Sequence, residues 1–222
     1  MEINMSSKFD TQMSAKVYEY LTNKILSREL KPGDKIQEQV IAKEFNTSRT
    51  PVREAIRDLA KSGIINIYPN RYSEIARFDD KKVKDVGVAK TILDRINIKM
   101  AGYYGSRAEY SVLKNLAETC YKAASDGHLA DRIKADSDFH WEIARIGKNS
   151  AFSDMMRVLL IQVEYLQAAR YLTAEDPKSQ FENHNRIVDS LMSGDLDTAL
   201  QLITEPNVKF YGLSDIPPVI YM

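Results

Sequence analysis

The stretch that most constrains the fold of this chain is residues 47–63, with the sequence TSRTPVREAIRDLAKSG. Thr50 is predicted to cap a helix, Pro51 suits the first helical position because its missing N–H has no partner there, and Gly63 is a stop signal. Apolar side chains recur at spacings of three and four residues: Val52, Ala55, Ile56 and Leu59. The stretch is therefore predicted to form a short helix with one buried face.

A second face of the same helix is cationic. Arg49, Arg53 and Arg57 recur every fourth residue, with Glu54 and Asp58 at neighbouring positions. Arginine bonds guanine edges and phosphates, so this face suits a helix that enters the major groove of DNA. The alternative is a solvated charged face, which is common on helices.

Two further helices are predicted before this one. Residues 11–28 follow a helical period and stop at a Lys-Pro-Gly turn at 31–33. A shorter helix is predicted for residues 38–45, and residues 46–48 form a tight turn. The order of helix, helix, turn and cationic helix is typical of a helix-turn-helix domain.

A β-hairpin is predicted after the cationic helix. Residues 64–68 are rich in β-branched side chains, residues 69–71 form a turn, and residues 73–76 return as a second strand. Asn70 and Arg71 lie at the tip, where polar groups could reach an adjacent minor groove or a phosphate. An ordinary hairpin turn is the alternative for these two residues.

The charge distribution agrees with DNA binding by the N-terminal part alone. The chain carries 31 basic and 31 acidic residues, and this balance argues against a nucleic-acid surface along the whole chain. Up to residue 78 there are 13 basic and 10 acidic residues. The single cysteine, Cys120, excludes an intramolecular disulfide, and the sequence shows no signal peptide or membrane span, so we expect a cytoplasmic protein.

From residue 79 onward the sequence is predicted to be helical almost throughout. The predicted helices are 83–104, 111–125, 129–147, 151–172, 178–193 and 196 to about 204. Helices of this length, broken at glycine and proline, predict an antiparallel bundle with room for a ligand. The expected organisation is a flexible arm at 1–10, a winged helix-turn-helix domain at 11–78, an all-helical effector-binding and dimerisation domain at 79–212, and a loose, extended tail at 213–222.

Asp136 and His140 form a candidate metal site in this bundle. They are four residues apart on a predicted helix, so both side chains lie on one face, and a carboxylate with an imidazole suits a divalent first-row ion. His184 lies two helices later, where the bundle could fold it against them. The alternative for each histidine is an ordinary hydrogen-bonded or exposed side chain.

The N-terminal stretch resembles the winged helix-turn-helix domain of GntR-family transcription regulators. The resemblance covers residues 11–77 and rests on Lys31-Pro32-Gly33-Asp34, Thr47 to Ile56, Gly63 and Pro69-Asn70-Arg71. It implies that Arg49, Thr50 and Arg53 meet operator DNA and that Asn70 and Arg71 assist. Gln39 stands where some members have an arginine that contacts DNA, and Tyr72 stands where a glycine is common in the wing.

The C-terminal stretch resembles the FCD effector domain of the FadR-type branch of this family. The resemblance rests on Asp136 to His140, Asn149 and His184 to Ile187. Many members bind a divalent metal through one Asp and three His and use it to capture small organic acids. Asp136, His140 and His184 match three of these ligands, whereas the fourth falls near Pro206, so that water, Asn207 or the effector would complete the set.

We therefore expect a homodimeric, ligand-responsive transcription regulator that binds a palindromic operator. Because members of this family are more often repressors, we expect a repressor. The resemblance implies one zinc, nickel or manganese ion, and a small carboxylate as effector. Lys90 and Asp94, near positions where the family often shows Arg and Glu, could orient that carboxylate. The alternatives are a metal-dependent enzyme built on Asp136, His140 and His184, or a DNA-binding protein whose bundle binds no ligand.

Overall fold

The computed structural model describes residues 5–170 and 177–220, with side chains from residue 12 onward. The chain divides into two compact units, Met1–Arg77 and Phe78–Met222. The first is a winged helix-turn-helix with a small antiparallel sheet, and the second consists of packed helices. The predicted fold class is confirmed.

The first unit contains three helices and a three-stranded sheet within the described residues. They are α1 (Met5–Leu26), β1 (Lys35–Ile36), α2 (Glu38–Glu44), α3 (Arg49–Lys61), β2 (Ile65–Tyr68) and β3 (Tyr72–Ile75). The strands are antiparallel in the order β1-β3-β2, with Ile65 opposite Ile75 and Tyr68 opposite Tyr72. The strand β1 is absent from the prediction because two residues are too few to show a period.

The core of the first unit lies between α1, α3 and the sheet. Val17 and Leu21 of α1 are fully buried, as is Ile75 of β3. The predicted inward stripe of α3 is confirmed, because these side chains are all buried: Val52, Ala55, Ile56 and Leu59. This burial turns the opposite face of α3 outward.

The start of α3 differs from the prediction. The helix begins at Arg49 and follows Ser48, which has extended backbone angles and makes no capping hydrogen bond through its side chain. Thr50 and Pro51 lie inside the first turn instead. Proline is accepted at any position of a first turn, where N–H groups have no intrahelical acceptor, so it does not fix the first residue. Gly63 has a φ of +76°, which agrees with its predicted role as a stop.

The start of α1 also differs from the prediction. The helix begins at Met5, inside the range predicted as a flexible arm, and residues 1–4 lie outside the described residues. No proline or glycine occurs before Pro32. Because each residue added to an existing helix gains one backbone hydrogen bond, the helix extends further toward the N-terminus than its apolar period suggested.

The second unit is built from six long helices and a short 3₁₀ turn in the described part of the chain. They are α4 (Asp80–Tyr104), α5 (Arg107–Ser125), α6 (Leu129–Ile146), α7 (Ser150–Ala169), α8 (Pro177–Ser193), α9 (Leu196–Tyr211) and the turn Pro218–Ile220. The helix α5 packs against α6 and α8, while α4 packs against α6, α7 and α9. None of the helices in the described ranges is long and apolar enough to span a bilayer. Leu172, the predicted end of α7, lies outside the described residues.

Side-chain caps fix where these helices begin. Asp79 accepts a hydrogen bond from the backbone N–H of Lys82, which starts α4 three residues before its predicted start. Ser106 and Glu109 form a reciprocal capping box that starts α5 earlier than predicted. Asn149 and Asp195 cap α7 and α9, each with a side chain that accepts one hydrogen bond from a backbone N–H of the first turn. These polar residues therefore set the helix boundaries that the apolar period left open.

The helix α9 continues through Pro206 to Tyr211, whereas the prediction ended it near Thr204. Proline has no N–H to donate to the carbonyl of Leu202, four residues earlier. The side-chain amide nitrogen of Asn183, on α8, donates to that carbonyl at 3.2 Å. A neighbouring helix thus supplies the hydrogen bond that proline removes, and α9 remains intact.

The segment after α9 is not the loose, extended tail that was predicted. Gly212 adopts a left-handed conformation with a φ of +64°, and Leu213 is fully buried. The N–H of Leu213 donates to the carbonyl of Val208 at 3.0 Å, and Asp215 pairs with Lys84 of α4 at 2.6 Å. One buried leucine and a helix-ending turn hold residues 212–215 against the bundle.

We predict that Asn183 stabilises the bundle by covering the carbonyl that Pro206 leaves free. The substitution Asn183→Ala should lower the free energy of unfolding by about 1–3 kcal/mol, the cost of a buried polar group without a partner. In a Pro206→Ala background, where a backbone N–H returns, the same substitution should cost clearly less. Chemical denaturation of the four proteins measures this coupling, and an equal cost in both backgrounds would contradict it.

Candidate DNA interface and ligand site

The exposed face of α3 presents three of the predicted DNA-contacting residues in its first turns. Arg49, Thr50 and Arg53 are exposed, and Arg57 follows one turn later on the same side. They are turned outward because the opposite face of α3 fills the core of the first unit. The structure therefore places the predicted cationic face on the surface, next to the N-terminus of α3.

Two polar pairs join this face to α2. Arg49 donates from Nη2 to Oε1 of Gln39 at 3.0 Å, and Arg53 donates from Nε to Oε2 of Glu38 at 2.8 Å. Glu38 was not among the predicted site residues, because no sequence spacing links residues 15 positions apart. Both pairs are exposed, so they orient the arginines at low cost, and a DNA phosphate or base edge can take the place of either acceptor.

The wing carries Asn70 and Arg71 at its exposed tip. Asn70 has a φ of +59°, a conformation that asparagine tolerates better than most residues. Tyr72 pairs across the hairpin with Tyr68, with ring centroids 4.7 Å apart, and the ammonium of Lys35 lies 4.3 Å from the Tyr72 ring. Tyr72 thus belongs to the strand, and Asn70 provides the positive φ in this wing.

The second unit brings the three predicted metal ligands together. Asp136 and His140 lie on α6 and His184 lies on α8, and all three are buried. One ligand atom from each lies within 4.8 Å of the other two, and Nε2 of His184 is 3.4 Å from Oδ1 of Asp136. The ring of Phe139 stacks on that of His184 at 4.0 Å, which fixes the orientation of the imidazole.

Two glutamines hold the carboxylate of Asp136. Gln167 on α7 donates to Oδ2 and Gln180 on α8 donates to Oδ1, each at 2.7 Å. Burial by itself raises the pKa of Asp136, but the hydrogen bonds from His184 and Gln167 and the charges of His140 and His184 outweigh burial and leave this pKa below its usual range. Asp136 is therefore an oriented, ionised carboxylate. Neutral amides carry no charge pattern, so neither glutamine could be identified from the sequence.

Lys90 and Asp94 form a second buried cluster with His140. The ammonium of Lys90 lies 2.5 Å from Oδ2 of Asp94 and 3.0 Å from Nδ1 of His140. Oδ1 of Asp94 lies 3.1 Å from the same Nδ1, and Asn207 donates to Oδ2 at 2.8 Å. Burial raises the pKa of Asp94, but the neighbouring charges of Lys90 and His140 outweigh it and lower this pKa to about 2. Nδ1 of His140 is thus engaged, which leaves Nε2 for a ligand.

Both clusters border a cavity of about 440 Å³. Lys90, Asp136, His140 and His184 line it, whereas Asp94 is not among the lining residues. Additional cationic side chains, which were not predicted as site residues, line the same cavity: Arg132, Arg170 and Lys209. Volumes of this size are typical of small-molecule sites.

The three donors fit a divalent metal ion. Metal–ligand bonds of about 2.0–2.2 Å place ligand atoms at most about 4.4 Å apart, so a small closure of this cluster would suffice. Two imidazoles and a carboxylate are also a donor set that leaves coordination positions open for a ligand. Nδ1 of His184 is buried without a hydrogen-bond partner in the described residues. Stacking on Phe139 and the contact between Nε2 and Asp136 therefore orient this imidazole.

The place expected for a fourth ligand holds no histidine in the described lining. Pro206 lines the cavity but offers no donor atom from its side chain. Asn207 lines it too, and its amide nitrogen is bound to Asp94. Three donors therefore match the expected set, and the side-chain oxygen of Asn207, water or an effector could complete it.

The fold and the two sites together define a winged-helix DNA-binding regulator with a helical ligand-binding domain. The family described as "Bacterial regulatory proteins, gntR family" matches residues 13–72, and the family described as "FCD domain" matches residues 89–205. The chain belongs to the GntR family, in the branch that carries an FCD domain. Members of this family are transcription regulators and not enzymes, which favours the regulator over the metal-dependent enzyme.

Individual relatives agree with this assignment. The chain is 25% identical to the "Probable D-xylose utilization operon transcriptional repressor" of Paenarthrobacter nicotinovorans, over 87% of this chain and 85% of that protein. It is 23% identical to the "HTH-type transcriptional repressor RspR" of Escherichia coli (strain K12), with the same coverage. The solved structure of "E. coli McbR/YncC" has a TM-score of 0.75 and 17% identity, covering 91% of this chain and 98% of that one, and is similar in fold.

Proposed function

We propose that this regulator is a homodimeric repressor that binds a palindromic operator and responds to a small organic acid in the cavity of its helical bundle. The buried cluster of Asp136, His140 and His184 beside that cavity carries the proposal. Burying a carboxylate and two imidazoles costs free energy, and an apolar cluster would pack the bundle at lower cost. The cluster therefore supports a bundle that binds a ligand over one that is silent.

DNA binding is assigned to α3 and the wing of the first unit. Arg49, Thr50, Arg53 and Arg57 would enter a major groove, and the wing tip with Asn70 and Arg71 would meet the adjacent backbone or minor groove. A protein with two-fold symmetry reads a palindromic site, because each copy meets an equivalent half-site. Two relatives carry the description of a repressor, which supports this direction of regulation.

Asp136, His140 and His184 would hold one zinc, nickel or manganese ion, with Gln167 and Gln180 fixing the carboxylate. When bound, such an ion supplies positive charge and open coordination positions for the oxygen atoms of an acid. Lys90 adds a buried ammonium at the same wall of the cavity, held in place by Asp94. The effector class that this wall fits is therefore a small carboxylate.

The effector would act by favouring one arrangement of the regulator over another. A ligand shifts such an equilibrium only by the difference in its affinity for the two states. The cavity is lined from several helices, including α4, α6, α8 and α9, so a ligand that contacts them all has many groups through which to distinguish two packings.

We predict that the purified protein holds about one divalent ion per chain and that His140→Ala loses it. The matched control is His128→Ala, because His128 is exposed and lies outside the cluster. Elemental analysis of proteins purified without a metal-affinity tag measures the content, and thermal unfolding shows whether each variant is folded. His184→Ala should behave like His140→Ala. Equal metal content in all four proteins would refute the site, as would its absence from the wild type after reloading.

We also predict that Gln167 strengthens metal binding without touching the ion. The substitution Gln167→Leu keeps the side-chain volume but removes a hydrogen bond to Asp136, so the affinity for zinc should fall about 10–100-fold. Gln201→Leu is the matched control, since Gln201 is exposed on α9 and outside the cavity lining. Competition with a chromophoric chelator gives both affinities. An unchanged value for Gln167→Leu would exclude it as a positioning residue.

The DNA assignment predicts that Arg53→Ala weakens operator binding by about 1–3 kcal/mol if this side chain reads a base. Lys61→Ala removes the same charge from the last turn of α3, where the side chain is exposed and paired with Asp58, and should have a smaller effect. A DNA sequence enriched from a random pool by the protein serves as the probe, titrated at fixed salt concentration. Similar losses for the two variants would mean that Arg53 acts only through charge.

A further inference from the structure

The cationic residues of the cavity are more numerous than one carboxylate group requires. Four cationic side chains line it, Lys90, Arg132, Arg170 and Lys209, against the single carboxylate of Asp136 among the described lining residues. Asp94 lies behind the wall and offsets Lys90, to which it is bound. Among the described residues, two positive charges therefore remain for a ligand, before any divalent ion is counted.

These charges are arranged in two zones that differ in depth. Lys90, Asp136 and His184 are buried in the wall, each with less than 5% of its surface exposed. Arg132 and Arg170 are half-buried and Lys209 is exposed, so they lie nearer to solvent. We call the buried group the inner zone, and the more exposed cationic group of Arg132, Arg170 and Lys209 the outer zone.

Arg132 is held in place while keeping donors for a ligand. It lies one helical turn before Asp136 on α6, and its Nε donates to Oε1 of Gln180 at 3.2 Å. Gln180 in turn donates to Asp136, so one glutamine fixes both charged groups. Arg170 donates from Nη1 to the carbonyl of Phe210 at 3.4 Å. The planar guanidinium group suits a carboxylate, which can accept two parallel hydrogen bonds from it.

We infer that the cavity takes a small dicarboxylate, with one acid group among Lys90, His140 and His184 and the second between Arg132 and Arg170. The inference rests on the proposed function, which already assigns the site of the first acid group. It adds a site for the second acid group. A dianion also offsets the two positive charges that the described lining residues leave uncompensated, and a bound divalent ion would add to this positive charge. A cavity of about 440 Å³ holds a chain of a few carbon atoms between the two groups.

The test compares acids of equal length that carry one or two carboxylates. The pairs are malonate with propionate, succinate with butyrate, and glutarate with valerate, each titrated calorimetrically into the full-length protein with its native metal content. At least one dicarboxylate should bind about tenfold or more tightly than its partner, since hydrogen bonds to charged groups are worth that much. Arg132→Gln and Arg170→Gln should reduce this ratio toward one and leave monocarboxylate binding nearly unchanged.

Arg186→Gln is the matched control, because Arg186 is exposed on α8 and does not line the cavity. This variant should keep the wild-type ratio. Arg170→Gln leaves the bond between Arg132 and Gln180 untouched, so it separates loss of the outer zone from disturbance of Asp136. Monocarboxylates that bind as tightly as dicarboxylates, or a ratio that survives in both cavity variants, would overturn the inference and leave the organic-acid effector standing. If neither series binds at millimolar concentration, the proposed effector class fails as well.

Discussion

Two buried carboxylates, Asp94 and Asp136, take hydrogen-bond partners from most of the long helices of the bundle. A buried charge is tolerated only when it is paired and hydrogen-bonded. Asp136 of α6 takes its partners from α7 and α8, and Asp94 of α4 takes its partners from α4, α6 and α9. Five of the six long helices of the described bundle therefore converge on these two groups. The sixth, α5, contributes apolar side chains to the core: Tyr110, Leu113 and Ala117.

Pro206 stands where a fourth metal ligand was expected, and two asparagines form hydrogen bonds around this position. Proline removes a backbone hydrogen bond from α9, and Asn183 restores a partner to the carbonyl of Leu202. The next residue, Asn207, binds Asp94, which fixes the Lys90 cluster. The α9 side of the cavity thus offers Asn207 in place of the expected histidine, and it supports the residues that would meet an acid.

The sequence predicted the elements that local signals define and missed those that depend on distant partners. The inward stripe of α3 and the glycine that ends it follow from spacing and backbone freedom, and so does the convergence of Asp136 and His140 on one helical face. The path of α9 through Pro206 depends on Asn183, more than twenty residues away in the chain. The roles of Gln167 and Gln180 depend on helices that meet only after folding, and a neutral amide has no charge pattern that could indicate them. His184 was placed in the predicted site because a helical bundle could fold it against Asp136 and His140, and the family resemblance then supported it; its spacing from His140 fits no local motif.

The charge pairs of the two units differ in what it costs to break them. The pair of Arg53 and Glu38 is exposed, so a phosphate or a base can replace the carboxylate at a cost of about 1 kcal/mol or less. The pair of Lys90 and Asp94 is almost completely buried, and removing either member would leave an unpaired charge at a cost of several kcal/mol. A ligand entering the cavity must therefore add to this cluster and not displace it. This requirement favours an anion that binds the free donors of Arg132 and Arg170 while the buried pair stays intact, because such a ligand gains charge-assisted hydrogen bonds without breaking any.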